Sequence, residues 1–153
     1  MGVMVADFPN LFTIVGPNTG SGHYSILFMA ECNIEFSLRL MKPFLKSGKP
    51  GSIEVKEEAE KRDVDWVQER LKQYIWHNSE ETGWYVDKKT GHNGTVYPHF
   101  QFHYMFKTLI PRWNDFILHG VSKPKPFRVI LIVLALLGIL IAWLLVATKI
   151  FKA

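Results

Sequence analysis

The stretch Leu11–Leu27, LFTIVGPNTGSGHYSIL, decides how this chain is read. Leu11-Phe12-Thr13-Ile14-Val15 is a short apolar run that stops at Gly16-Pro17, the pattern of a buried strand entering a turn. Asn18-Thr19-Gly20-Ser21-Gly22 follows as a loop of small residues, and a helical period begins near Ser25. The unit is therefore strand, glycine-rich loop, helix. Backbone N–H groups at a helix N-terminus lack internal partners and carry partial positive charge, so such a loop can hold an anion or a polarised ligand edge. Gly20 and Gly22 permit positive φ and close approach to the backbone. As a dinucleotide fingerprint, Gly20-x-Gly22-x-x-Ser25 is partial, and no acidic residue on a second strand accompanies it. On bare physics a plain strand–helix turn is the larger share.

Outward from this unit, the period predicts a helix from about Ser25 to Leu45, stopped by Gly48 and Pro50. A second helix is expected from Glu54 or Glu57 to Trp76, with Val55, Ala59, Val67, Leu71, Tyr74 and Ile75 on its apolar side. Trp84-Tyr85-Val86 and Thr95-Val96-Tyr97 read as β-like segments joined by a turn at Gly91–Gly94. The aromatic stretch from His99 to Phe116 reads as ending in a helix, with Pro111 as a break or a helix start.

The chain has 153 residues, room for one ordinary domain. Residues 1–122 hold 13 basic and 14 acidic side chains, a net −1, so the formal +4 arises from Lys123, Lys125, Arg128, Lys149 and Lys152. Those charges flank an apolar block, which argues against a nucleic-acid reading of the pI. The block, residues 129–147 (VILIVLALLGILIAWLLVA), would span about 28 Å as a helix, close to the hydrocarbon thickness of a bilayer. It predicts a single transmembrane helix, preceded by the basic Pro-containing linker 123–128 and followed by a short basic tail, 148–153. Met1–Asn10 has neither a basic n-region nor a long apolar h-region. The expectation is a tail anchor, with residues 1–122 facing the cytosol and the endoplasmic reticulum as the membrane.

Several chemical signals have bland counterparts. His99-x-x-x-His103 has the spacing of two metal ligands on a helix, but it lacks the Glu of H-E-x-x-H and a third ligand, which favours histidines packed among aromatics. No metal is expected. Cys32, the single cysteine, falls inside an apolar helix and reads as an inert thiol rather than a nucleophile. Asn93-Gly94-Thr95 is a formal glycosylation sequon that reads as a polar turn. No paired-carboxylate, Ser-His-Asp or phosphate-loop arrangement stands out, so no catalytic residue is assigned.

The residues also carry a resemblance. Phe8-Pro9-Asn10-Leu11-Phe12, then Gly16-Pro17-Asn18-Thr19, then Gly22-His23, Ser25 and Glu31, resembles the C-terminal part of class B flavin monooxygenases, the Baeyer–Villiger and flavin-containing enzymes. That family reads roughly F-P-N-L-F-x-x-x-G-P-N-T…G-H-x-S…E-x-Q-x-x-Y, with Asn33 here in place of the Gln and Phe36 as the aromatic at the Tyr position. The resemblance runs on through Val55-Lys56-x-Glu58-Ala59, Asp65-Trp66-Val67-Gln68, Leu71, Trp76, Gly83-Trp84-Tyr85 and Tyr97-Pro98. It covers about residues 7–116.

The resemblance implies an α+β fragment, in which the strand, glycine loop and helix come from the end of an FAD domain and a mostly helical C-terminal subdomain follows. It implies FAD and NADPH as cofactors, and a monooxygenase that oxidises a ketone or a soft heteroatom of a small organic substrate. Gly16, Pro17, Gly22, His23, Tyr24, Ser25 and Ile26 would then border the flavin. The family's two G-x-G-x-x-G turns and its catalytic arginine are absent from this sequence, so tight cofactor binding by this chain alone is not expected. An N-terminal dinucleotide-binding half on another chain is the implied partner. The alternative is a non-catalytic, tail-anchored interaction or scaffold protein derived from such an enzyme.

Overall fold

A computed structural model describes residues 2–20, 24–78, 84–124, 138, 139 and 143. The longest element is α1, Ile26–Ser47. Ser25 caps it from an extended backbone, its Oγ accepting from Phe28 N–H at 3.3 Å. Gly48 ends it in the left-handed conformation (φ 63°), its N–H donating to Phe44 O at 3.0 Å. Met29, Cys32, Asn33, Phe36, Ser37 and Leu40 recur at helical spacing and form the buried face.

Past the cap the chain forms β1, Ser52–Val55, and then α2, Glu57–Leu71. Glu57, Glu58 and Glu60 occupy the first turn of α2, where the helix dipole favours negative charge. A single turn, α3 (Ile75–Asn78), follows, then α4 (Gln101–Leu109) and, after a 3₁₀ turn at Trp113–Asp115, β2 (Phe116–His119). The two strands pair antiparallel, Ile53 opposite Leu118 and Val55 opposite Phe116. Gly51 and Gly120 let the strand ends close up. A Cβ on Gly51 would lie 2.2 Å from His119 O, and one on Gly120 (φ 84°) would lie 2.3 Å from Pro50 O. The outer edge of β1 is taken by one residue: Asn10 N–H donates to Ile53 O at 2.9 Å, and Ile53 N–H donates to Asn10 Oδ1 at 3.0 Å. Asn10 thus stands in for a strand neighbour and blunts the edge.

Two clusters of buried residues share α1. Phe36 and Leu40 pack with Val3, Met4, Ile53 and Phe116, and Met29 and Cys32 pack with Tyr97 and Tyr104. A third cluster joins Val67 and Leu71 of α2 to Val96.

Three expectations need correction. The fold is α+β, but the transmembrane helix drops out of the assignment: among the described residues no helix is long and apolar enough to cross a membrane. α1 has the length, yet it carries Glu31, Glu35, Arg39, Lys42 and Lys46, whose transfer into hydrocarbon is costly. The span 129–147 itself lies outside the described residues, apart from Gly138, Ile139 and Trp143. Second, Leu11–Val15 is not a buried strand. The run is irregular, and Leu11, Ile14 and Val15 are exposed. Its backbone is held instead by the N-terminal residues, Thr13 N–H donating to Val3 O at 2.8 Å and Thr13 Oγ to Gly2 O at 2.8 Å. Third, the second helix ends at Leu71, and residues 84–86 and 95–97 do not form a hairpin. Val86 bridges only Asn93, and Val96 bridges Gly20.

Phe36 is 1% exposed and lies 6.2 Å from Phe116, ring centre to ring centre. Phe36→Ala should cost about 3–5 kcal/mol of folding stability, whereas Leu27→Ala, at a residue 73% exposed, should change it by about 0.5 kcal/mol or less. Urea unfolding midpoints at constant slope measure both.

Candidate functional site

The loop before α1 is built by side chain to backbone hydrogen bonds. Asn18 adopts a left-handed backbone (φ 54°), a conformation Asn tolerates. Its Nδ2 donates to Asn93 O at 2.7 Å and to Val96 O at 3.0 Å, and its N–H donates to Gly94 O at 3.0 Å. Thr19, fully buried, donates from Oγ to Gly16 O at 2.6 Å. Gly20 then makes a parallel bridge to Val96, and Gly20 O accepts from Tyr97 N–H at 2.7 Å. The facing segment is organised by Asn93, also fully buried. Its Oδ1 accepts from Thr95 N–H and Val96 N–H, both at 3.1 Å, and its Nδ2 donates to Trp76 O at 3.2 Å. Gln68 of α2 clamps Asn93 with two further bonds, to its N–H and its O.

Beside this seam lies a cleft of about 600 Å³. Gly16, Pro17 and Gly20 border it from the loop, Ile26 from α1, and Trp84 and Gly94 from the facing segment. None of the described residues lining it carries a charge. Val15, at its rim, holds φ 55°, which is strained for a β-branched residue and costs on the order of 1–2 kcal/mol. Such strain clusters at binding sites. The glycines differ in what they do. A Cβ on Gly16 would meet Gly2 O at 2.1 Å, so that glycine serves the packing of the loop. A Cβ on Gly94 would have no neighbour within 4 Å, which leaves its face open.

Of the seven residues expected to border a cofactor, the structure brings Gly16, Pro17 and Ile26 together in the cleft. Gly22 and His23 lie outside the described residues. Tyr24 lines a separate small recess beside Tyr74 and Trp76. Ser25 caps α1, and its N–H is engaged by Gln101 Oε1 at 3.4 Å. Sequence reasoning missed Asn18, Gln68 and Asn93, which position the cleft without lining it. The available signal was their residue type: Asn and Gln carry both donors and acceptors, the equipment for pairing a loop backbone. Asn93 also belongs to the sequon, and its amide nitrogen is buried and bonded to Trp76 O, out of reach of modification in the folded chain.

The histidines are stacked. His99 and His103 lie 4.5 Å apart, ring centre to ring centre, and both stack on Trp66, at 5.6 and 5.9 Å. Tyr97 Oη and His103 Nδ1 are 2.8 Å apart, and Lys107 Nζ, paired with Asp63, sits 4.2 Å over the Trp66 ring. Burial lowers the pKa of His103, and His99, Lys107 and Arg70 lower it further. His99 is lowered by burial and then by Arg70 and Lys107. Cys32 is buried on α1, and its thiol is pushed up by burial and by Glu31, which keeps it protonated and unreactive.

No protein-family model matches the chain. Curated relatives do. A Baeyer–Villiger monooxygenase of Pseudomonas aeruginosa is 32% identical over 123 residues, 80% of this chain and 23% of that protein. Another of Streptomyces coelicolor is 30% identical over 128 residues, covering 84% of this chain and 24% of that protein. An FAD-binding monooxygenase of Dothistroma septosporum is 24% identical over 127 residues, 80% of this chain and 19% of that protein. The chain thus spans about a quarter or less of the length of the curated relatives it matches. These matches bear out the resemblance to the C-terminal region of the flavin monooxygenases.

Two outcomes follow from this geometry. Asn93→Ala strips partners from the buried Val96 N–H, the part-buried Thr95 N–H and the Trp76 carbonyl, and should cost about 2–3 kcal/mol, read as a drop in the urea midpoint. The histidine cluster predicts a pH effect. A folded-state pKa below the unfolded value of 6.5 means the unfolded chain binds more protons. Stability is then full above about pH 6.5 and falls as pH drops through that value toward the folded pKa. His103→Gln should flatten the fall in unfolding midpoint between pH 7 and pH 5; an unchanged slope would contradict the placement of this ring.

Proposed function

We propose that this chain supplies the ring-facing C-terminal portion of an FAD- and NADPH-dependent monooxygenase. One observation carries the reading: a chain related to Baeyer–Villiger monooxygenases over four-fifths of its length gathers Gly16, Pro17 and Ile26, three residues of the expected flavin border, around one uncharged cleft. The described lining fits the edge of a planar ring system. Trp84 offers a flat apolar surface, Gly20 and Gly94 keep the backbone open, and the α1 N-terminus adds positive backbone dipoles through Ile26. It does not fit the phosphates of a dinucleotide, which need a charged or amide-rich cradle. Those groups would be held by the dinucleotide-binding modules that the resemblance places upstream.

When bound, the flavin supplies the redox and oxygen chemistry. The chain's own contribution is positioning and exclusion of water. The Asn18–Asn93 seam fixes the loop against α2. Ile26 and Trp84 give the cleft apolar walls, and the dipoles at the start of α1 favour negative charge at the ring edge. Gly22 and His23 belong to the same proposed border.

The test is reconstitution with a separately expressed N-terminal half carrying both dinucleotide-binding modules. The pair should retain FAD and consume oxygen in an NADPH-dependent way, and this chain alone should do neither. Gly94→Asp places a carboxylate on the open face of the cleft, where folding should tolerate it and an anionic reduced ring should not. Like charges at close range in a partly dry site cost on the order of a few kcal/mol, so oxygen use should fall at least tenfold. Unchanged turnover in Gly94→Asp would place the ring elsewhere, and no turnover in the wild-type pair would reject the monooxygenase reading.

A further inference from the structure

A second cleft, of about 510 Å³, lies where α2, α4 and the turn before β2 come together. It shares no lining residue with the uncharged cleft described above, and its chemistry is the opposite. Arg62 of α2, Lys107 of α4 and Arg112 bring positive charge to it, and Trp66 and Phe106 give it apolar walls. The ion pairs of this cluster do not close. Lys107 is matched by Asp63, but Arg62 and Arg112 share one carboxylate. Arg62 Nη2 lies 2.7 Å from Asp115 Oδ1, and Arg112 Nε lies 3.0 Å from Asp115 Oδ2. Three cations against two carboxylates leave one positive charge over, and Asp63 is the only carboxylate among the described residues that lines the cleft. Each guanidinium gives one nitrogen to Asp115, so both keep N–H donors for an oxyanion. Asp115 itself is fixed in the 3₁₀ turn: its N–H donates to Arg112 O at 2.8 Å, and its O accepts from Lys56 N–H at 2.9 Å.

We propose that this cleft binds a small aromatic carboxylate, its head held by the Arg62 and Arg112 guanidiniums and its ring laid against Phe106 and Trp66. An ordinary surface ion pair uses one cation per carboxylate. A second guanidinium, ordered by the same carboxylate beside an exposed ring, is the arrangement that takes an anion with an apolar body. The single surplus charge suits a monoanion better than the dianion of a phosphate monoester. His103 stands in the same wall and adds no charge near pH 7, because burial and the cations around it lower its pKa. Phe106 is 66% exposed, so its ring is available to a flat partner among the described residues. The volume falls within the range of roughly 300–1,000 Å³ that small-molecule sites occupy. This site stands apart from the monooxygenase reading, since it requires neither a flavin nor a second chain.

The experiment titrates 2-naphthoate into the full chain and follows the His103 imidazole C–H signal by NMR. The signal should shift saturably, and added salt should weaken the binding. The neutral 2-naphthamide should bind at least tenfold more weakly, and inorganic phosphate should not displace naphthoate at equal concentration. Arg62→Gln and Arg112→Gln should each weaken naphthoate at least fivefold, with circular dichroism confirming an unchanged fold. Phe106→Ala, at a side chain too exposed to matter for folding, should weaken it as well. Lys72→Gln, beyond the end of α2 and paired with Glu69, should leave it within about twofold. Absence of saturable binding by the full chain overturns the proposal. Equal binding by the two arginine variants, or by the naphthamide, overturns recognition of the carboxylate. Displacement by phosphate, or an unchanged affinity in Phe106→Ala, overturns the aromatic part. Binding that survives both arginine variants but is lost in Gly94→Asp assigns naphthoate to the uncharged cleft and overturns the proposal too.

Discussion

The backbone of residues 16–20 meets its neighbour at a single strand-like bridge, so its other polar groups must find partners one at a time. Asn18 N–H donates to Gly94 O and Gly16 O accepts from Thr19 Oγ, while the Asn18 and Asn93 side chains pair the backbone of the facing segment. Asn18 reaches across to two carbonyls, and Asn93 turns its own segment back on itself while Gln68 ties it to α2. Most of these bonds join buried groups, where loss of one partner leaves the other desolvated and unpaired. The cleft, the start of α1 and the position of Val96 in the core all follow from this seam. It explains how residues 16–20 are held against the facing segment by one bridge and side-chain bonds.

α1 links that loop to the rest of the molecule. Its N-terminus is capped by Ser25 at the edge of the cleft, and its inner face reaches both larger clusters of the core. Along it lies α4, joined through Tyr104, whose hydroxyl donates to Asn33 Oδ1. Burial pushes the Tyr104 phenol well above its ordinary range, so it stays neutral and acts as a donor. A displacement of α1 would therefore be felt at the cleft and in the core together. Among the described residues the same helix leaves Leu27, Ile34, Leu38 and Leu45 exposed on its other side.

The chemistry of the described residues is that of a wall and a support. Cys32 is held as a thiol, the two histidines are stacked rather than convergent, and Lys107 is committed to Asp63 and Trp66. The cleft itself is uncharged among the described residues. Such a surface can shape and dry a reaction space, while redox chemistry has to come from a cofactor.

The sequence by itself determined the local elements. A period of 3.6 and the stop signal of Gly48 and Pro50 are short-range, and they placed α1 within two residues of its observed ends. The motif order from Phe8 to Ser25 determined the relationship to the flavin monooxygenases. What tertiary structure decided was pairing. Ser52–Val55 and Phe116–His119 are four-residue strands whose partners lie more than sixty positions apart, and neither is long enough to show a period. Leu11–Val15 has strand composition, but strand is a property of a pair, and Thr13 bonds Val3 O through its N–H and Gly2 O through its hydroxyl instead of entering a ladder. The apolar run 129–147 likewise carried a composition signal. Among the described residues the length and the apolarity that a membrane demands do not coincide in one helix. Which residues face one another across the cleft was fixed by side-chain amides bridging segments some 75 residues apart, contacts that leave no periodic trace in the chain.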